Sequence, residues 1–264
     1  MKVIVLASGS KGNATYIESG NTRFLIDAGI SYKQIKERLQ EKNIELKELN
    51  AIFVTHEHAD HVKHLTTVLE KTHAHLYINK KSFDALDGKV RSYLTMFPIH
   101  LIEKDTKYCL NDLFVVPINM SHDAKNTFGY LIKTPDHTAA YLTDTGFVEE
   151  KYFPILRTIE ILIVESNHNV EMLMASKRIW PLKQRILSSK GHLSNENCHD
   201  LLKKIMSNNT KYVILAHLSE ECNTEDLAYQ ASCPLFINSK TKLLIAKQHE
   251  AVDVTEQDAA WLIL

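Results

Sequence analysis

The stretch Ala51-Ile52-Phe53-Val54-Thr55-His56-Glu57-His58-Ala59-Asp60-His61 is an apolar, β-type run that feeds directly into four side chains able to bind metal ions. In an extended backbone side chains alternate between faces, so His56 and His58 point to one side and one ion can take both. The turn into the helix-period segment at 59–71 redirects Asp60 and His61 toward a neighbouring position, so that six residues can serve two adjacent metals. In a chain with 14 histidines, the pattern H-x-H-x-D-H arises by chance on the order of two times in a thousand. A solvated polar loop explains neither the density of histidine nor its place at the carboxyl end of a strand, where α/β proteins put their sites.

Outward from this segment, apolar runs rich in β-branched residues predict ten strands, at 3–7, 24–27, 51–55, 76–79, 113–118, 128–133, 139–143, 159–165, 212–217 and 242–247. Helix-period segments lie at 31–42, 59–71, 82–93, 149–157, 170–187 and 194–207, the last with Ser194 as its N-cap. Strands interleaved with helices, but consecutive between 113 and 146, predict a mixed α/β layered fold. The 264 residues can bury one large core. Without a repeat, low-complexity tract or Pro/Gly-rich linker, the expectation is one domain spanning 1–264. Two β-rich halves of like architecture remain compatible with this, since such a duplication need leave no sequence period.

Hydrophobic residues at 44% and charged ones at 24% exclude disordered, fibrous and membrane classes. The formal net charge of -1 provides no global basic field, so a nucleic acid must be held locally. The apolar run at 3–7 is too short for a signal peptide and none approaches the roughly 18 residues of a membrane span, so a cytoplasmic protein is expected. Cys109, Cys198, Cys222 and Cys233 show no zinc-knuckle spacing and read as reduced, buried, small apolar residues.

Three further strand ends offer ligands: Asn119-Met120-Ser121-His122, Tyr141-Leu142-Thr143-Asp144-Thr145-Gly146 and Val213-Ile214-Leu215-Ala216-His217. Singly, such a histidine can be an ordinary surface or core residue, and an aspartate before Thr-Gly can cap a turn. With the first motif, His122, Asp144 and His217 form a set. Glu165-Ser166-Asn167-His168 also ends a strand and can face the cleft, although an ordinary polar loop is the plainer reading of His168. His64, His73, His75 and His199 have no such context and read as surface or helix residues.

These motifs resemble the metallo-β-lactamase superfamily, over a span running from Leu25-Ile26-Asp27-Ala28-Gly29 to His217. The resemblance implies a four-layer αββα sandwich with mixed sheets and two divalent metal ions in a cleft at one edge of the sheets. It implies that His56, His58 and His122 hold the first ion, that Asp60, His61 and His217 hold the second, and that Asp144 bridges them. Asp27 becomes a buried carboxylate supporting the ligand loop. Lactam-cleaving members often use a Cys ligand and lack the bridging Asp; this chain has Asp144 and no Cys at those positions, which disfavours β-lactams.

More narrowly, Ala7-Ser8-Gly9-Ser10-Lys11-Gly12-Asn13-Ala14-Thr15 and Ser189-Lys190-Gly191-His192-Leu193-Ser194-Asn195 resemble the YycJ/WalJ-like, nuclease-related subfamily. His192 precedes a helix amino terminus whose N–H groups suit a phosphate oxygen, so it can bind phosphate or protonate the leaving oxygen. Asp60 and His192 are thus the catalytic candidates, and Ser10, Asn13 and His192 the substrate-binding ones. Zinc, manganese or iron suits the nitrogen and carboxylate donors. Two such ions sharing Asp144 would bring a bridging water toward a neutral pKa and aim the hydroxide at phosphorus. The resemblance implies a DNA exonuclease. Alternatives of the same fold are an RNA or small-phosphodiester hydrolase, a thioester or ester hydrolase, and a non-catalytic regulatory metal-binding protein. Lys11, Lys63, Lys125, Arg185 and Lys190 are backbone contacts if they cluster around the cleft.

Overall fold

Strands that read as solid apolar runs must be covered on both faces, and the computed structural model, which describes residues 1–46 and 49–254, covers them. Its first seven-stranded sheet contains β1 (Lys2–Ala7), β2 (Ala14–Ser19), β3 (Thr22–Ile26), β4 (Ala51–Phe53), β5 (His75–Asn79) and β6 (Ile99–Ile102). The second, also seven-stranded, contains β7 (Tyr108–Leu110), β8 (Leu113–Met120), β9 (Thr127–Lys133), β10 (Thr138–Leu142), β11 (Ile161–Glu165), β12 (Tyr212–Ala216) and β13 (Lys242–Ile245). A final strand, β14 (Val252–Asp253), returns to the first sheet beside β1.

Both sheets follow one plan. The order β14-β1-β2-β3 is antiparallel and continues as parallel β3-β4-β5-β6. Likewise β7-β8-β9-β10 is antiparallel and continues as parallel β10-β11-β12-β13. The two halves therefore share an architecture without sharing a sequence period.

Alternation along each strand divides the apolar residues into layers. Val3 and Val5, Phe53, Ile163 and Ile214 point inward to a core between the sheets. Their neighbours Ile4, Leu6 and Ile52 meet the helices on the first sheet, while Leu162, Val164, Val213 and Leu215 meet those on the second. The first outer layer includes α1 (Tyr32–Gln40), α3 (Leu65–Thr72) and α5 (Gly88–Leu94), the last two preceded by the short α2 (Ala59–Val62) and α4 (Lys80–Ala85). The second includes α6 (Phe153–Leu156), α9 (Asn195–Ile205) and α10 (Glu225–Ser232), with α7 (Val170–Ala175) and α8 (Trp180–Leu187) inserted ahead of α9. The result is the expected αββα sandwich. Among the described residues no helix is long and apolar enough to cross a membrane.

Three expected helices are each broken in two. The 59–71 segment breaks at His64, whose N–H leaves the helix for the Ala28 carbonyl, 3.0 Å away. At 82–93 the break is the extended Leu86-Asp87 pair, where the Asp87 carboxylate accepts from Lys89 N and starts a new helix. At 170–187 Ser176 is extended, and buried Lys183 donates to the Met174 and Ser176 carbonyls at 2.6 and 2.8 Å, fixing the break. The 149–157 segment is a 3-10 turn followed by the short α6. Strands β2, β6, β7 and β14 and helix α10 were not expected, because they are short or mix polar and apolar residues. Cys198 and Cys222 are buried as expected, whereas Cys109 is exposed and Cys233 half-buried.

The turn Asp27-Ala28-Gly29 is laced to the segment after β4. Ala28 N donates to His61 O at 2.8 Å, and Asn13 N donates to Asp60 O at 2.8 Å. A Cβ on Gly29 would lie 1.8 Å from the Asp60 carbonyl oxygen and 2.6 Å from Asn13 N. Both obstacles are backbone, which cannot rotate away. Gly29→Ala is therefore expected to lower the unfolding free energy by about 3 kcal/mol, read as a lower urea midpoint at unchanged m-value.

Candidate metal centre

Three of the candidate residues take a backbone conformation that side chains rarely adopt. Asp27, Asp144 and His217 follow the ends of β3, β10 and β12 and have φ of 63, 56 and 57°. A left-handed residue costs roughly 1–2 kcal/mol outside glycine. Here it turns the chain sharply at the carboxyl edge of each sheet and holds the side chain at the seam between them. Surrounding bonds fix these turns: Asp27 N donates to Phe53 O at 2.9 Å, and His217 N to Ser8 Oγ at 2.7 Å.

The structure brings His56, His58, Asp60, His61, His122, Asp144 and His217 together. Donor atoms of His56, His58 and His122 lie within 4.8 Å of one another, as do those of Asp60, His61 and His217. A third group, His56, His61 and Asp144, joins these two triads. Glu165 forms a fourth with Asp144, His192 and His217.

Four of the five imidazoles share one orientation: the Nδ1 atom is held by the protein and Nε2 faces the cluster. His61 Nδ1 lies 2.7 Å from Asp27 Oδ2, and His122 Nδ1 lies 3.2 Å from Gly191 O. His217 Nδ1 lies 2.9 Å from Glu165 Oε1. His56 Nδ1 lies 3.0 Å from Thr55 Oγ1, which in turn donates to Asp27 Oδ2 at 2.9 Å. His58 is reversed, with Nδ1 3.4 Å from His122 Nε2. Among the described residues His56 Nε2, His217 Nε2 and Asp144 Oδ2 are buried without a hydrogen-bond partner. Buried polar atoms are nearly always satisfied, and nitrogen and carboxylate donors left this way fit a divalent cation.

Charge balance agrees. Burial opposes charge on His61 and His217, but Asp144, Asp27 and Asp60 raise His61 well above its ordinary value. Asp144, Asp60 and Glu165 likewise raise His217 to about 10. Burial also raises Asp27, whereas Asp60 is held far below the carboxylate range by His61 and His217 despite its burial. His56, buried and ringed by His61, His122 and His58, is pushed well below its ordinary value. The centre is an acidic hole that demands positive charge, from protons or from metal.

Glu165 was quoted in the sequence only as part of a strand end, yet it organises the second half of the site. It is fully buried, and its Oε2 accepts from Thr145 N at 2.8 Å and Leu193 N at 3.3 Å. Its Oε1 lies 2.7 Å from His192 Nδ1 and 2.9 Å from His217 Nδ1. Although burial raises its pKa, His192 and His217 hold the carboxyl well below the usual range. The legible signal was a carboxylate closing the otherwise apolar run Ile161-Leu162-Ile163-Val164.

A cavity of about 220 Å³ opens on this centre, lined by Ser10, Asp60, Asp144 and His192, among others. Asn13, expected to touch substrate, is instead fully buried. Its Oδ1 accepts from Gly9 N at 2.9 Å, and its Nδ2 lies 3.3 Å from Asp60 Oδ2, so it positions the Asp60 carboxylate. The amino terminus of α9 is likewise spent internally: Asn195 N donates to His168 O at 2.9 Å and Asn197 N to Ser194 Oγ at 3.1 Å. His192 therefore meets the cavity by its side chain alone. His168 is buried outside the four groups, and burial lowers its pKa to about 4. Of the five basic residues expected near the cleft, only Arg185 lines the cavity; Lys11 pairs with Glu220 at 2.6 Å.

A family model described as "Beta-lactamase superfamily domain" matches residues 22–218, most of the chain. The chain belongs to the metallo-β-lactamase superfamily. It is similar to the exodeoxyribonuclease WalJ of Streptococcus pneumoniae, 37% identical over 233 residues, 86% of this chain and 85% of WalJ. It is also similar to the exodeoxyribonuclease YycJ of Bacillus anthracis, 33% identical over 224 residues, 85% of this chain and 84% of YycJ. These matches place it with the WalJ/YycJ proteins, as a metal-dependent hydrolase. Among solved structures, the metallo-β-lactamase fold protein YhfI of Bacillus subtilis superposes with a TM-score of 0.70. At 16% identity, over 96% of this chain and 98% of YhfI, that likeness speaks for the fold.

Because Glu165 aims two histidines, Glu165→Gln is expected to weaken zinc or manganese binding about 10–100-fold while the fold is kept. Competition with a chromophoric chelator, beside a circular dichroism spectrum, measures both.

Proposed function

We propose that this protein is a dinuclear metal-dependent phosphodiesterase that degrades DNA from an end, with residues 1–264 acting as one domain in the cytoplasm. The observation that carries the reading is His192: it lines the cavity beside Asp144 and shares the Glu165 carboxylate with His217. A mobile-proton donor beside a metal centre is what a poor alkoxide leaving group needs. The exodeoxyribonuclease names of the WalJ and YycJ relatives supply the substrate class.

In this reading His56, His58 and His122 would hold one ion and Asp60, His61 and His217 the other, with Asp144 available to both. Zinc, manganese or iron supplies, when bound, a water ionised near neutral pH and positive charge for the phosphate oxygens. Asp27 holds the proton of His61 at Nδ1, and Glu165 does the same for His217, so that each presents a lone pair at Nε2. Asn13 keeps the Asp60 carboxylate turned toward His61. Glu165 also fixes the His192 tautomer: Nδ1–H points at the carboxylate, and a second proton, when present, sits at Nε2 for the leaving oxygen. Ser10, which lines the cavity, would be a substrate contact.

An internally labelled duplex with 5′-phosphates, incubated with manganese, is expected to release mononucleotides with the unmutated protein and none with Asp144→Ala or after chelation. Absence of release with metal bound would overturn the DNA reading in favour of RNA, small phosphodiesters or thioesters. His192→Ala is expected to lower kcat roughly 10²–10⁴-fold with metal content unchanged; loss of metal in that variant would instead make His192 a ligand.

A further inference from the structure

The segment between α7 and α9 contributes Arg178, Leu182, Arg185, Ile186 and His192 to the lining of the cavity. From residue 172 to residue 195 the chain has no acidic residue and carries Lys177, Arg178, Lys183, Arg185 and Lys190, in a protein of formal net charge -1. Lys183 is turned inward to its two carbonyls, but Arg178 and Arg185 both line the cavity. Each is held by a different carboxylate. Arg185 Nε is paired with Asp123 Oδ2, and Asp123 Oδ1 lies 3.3 Å from His122 Nε2. Arg178 Nε is paired with Glu221 Oε2 at 2.8 Å, in the loop that carries Ser219, another lining residue.

Each carboxylate grips the inner Nε of its guanidinium. A guanidinium fork carries five N–H donors, so each arginine keeps donors beyond the one paired at Nε. Such forks match the oxygens of phosphate in parallel pairs. Leu182 and Ile186, one helical turn apart on α8, also line the cavity. The cavity of about 220 Å³ places both guanidinium groups beside Asp60, Asp144 and His192.

We infer that Arg178 and Arg185 form a pocket for a terminal phosphate monoester, which seats the end of the substrate strand at a fixed distance from the metals. The inference rests on the phosphodiesterase reading and deepens it: it makes the two arginines positioning residues and makes end-phosphorylated strands the preferred substrate. An internal phosphodiester carries one negative charge; a terminal monoester approaches two, and two guanidinium groups discriminate in its favour.

The test compares three 12-nucleotide strands, bearing a 5′-phosphate, a 3′-phosphate or only hydroxyl ends, with the unmutated protein, R178Q/R185Q and R178K/R185K. The unmutated protein is expected to show a KM at least about tenfold lower for one phosphorylated strand than for the hydroxyl-ended one, with kcat within about twofold. That ratio should collapse toward one in the Gln pair and be partly restored in the Lys pair, which keeps charge and the carboxylate contacts but not the fork. Equal KM values for all strands, or an unchanged ratio in the Gln pair, would overturn the pocket. Hydrolysis of bis(p-nitrophenyl) phosphate by the unmutated protein tests the underlying chemistry separately. If no strand is cut, fluorescence anisotropy with phosphorothioate-linked strands still reads the pocket: tighter binding of the phosphorylated strand, lost in the Gln pair, supports it, and equal binding refutes it. Inorganic phosphate competing as well as the phosphorylated strand would show a site for free phosphate and also refute a strand-seating role.

Discussion

Three carboxylates, Asp27, Asp144 and Glu165, are almost wholly buried where the two sheets meet, and the cost of burying them governs the rest of the site. A buried carboxylate is tolerated only with hydrogen bonds and opposite charge around it. Asp27 is met by Thr55 and His61, and Glu165 by two backbone amides and two imidazoles. Asp144 is the exception, since its Oδ2 has no donor among the described residues. That unsatisfied oxygen belongs to the same cluster as the unsatisfied Nε2 atoms of His56 and His217, and the deficit is what makes the centre a cation site rather than a packed polar core.

Holding such groups in place requires backbone where side chains would normally stand. Gly29 lets the Asp60 carbonyl touch the turn after β3. Gly146 does the same after β10, where a Cβ would meet Ser189 O at 2.3 Å. Gly191, whose Cβ would fall 2.0 Å from Ile186 O, seats the loop carrying His192 against the end of α8. Few in number, these glycines stand where two site-bearing segments are in backbone contact.

The architecture was legible because long buried strands leave solid apolar runs, and the central strands of both sheets do. Edge strands such as β7 and β14, of three and two residues, carry no such signal. Seven residues of the centre were legible because histidine and aspartate at strand ends are chemically conspicuous. Glu165, Asn13 and Thr55 were harder. Their roles arise from contacts across the fold, Glu165 with residues 20 to 52 positions away, and nothing local distinguishes them from polar residues that merely end a strand. The helix breaks were hidden for the same reason: His64 leaves its helix for a carbonyl of the Asp27 turn, a partner fixed only by tertiary packing.

The matching plan of the two halves gives the turns Leu25-Ile26-Asp27-Ala28-Gly29 and Leu142-Thr143-Asp144-Thr145-Gly146 equivalent places, each with its aspartate left-handed. All but one of the donor groups draw on both halves, joining His56, His58, Asp60 or His61 to His122, Asp144 or His217. An ion held there is a cross-link as well as a reagent. It closes a chain loop that spans most of the molecule and so restricts the unfolded ensemble, as a disulfide would. Such an ion is a covalent-like clasp between the two sheets that opens on chelation rather than on reduction.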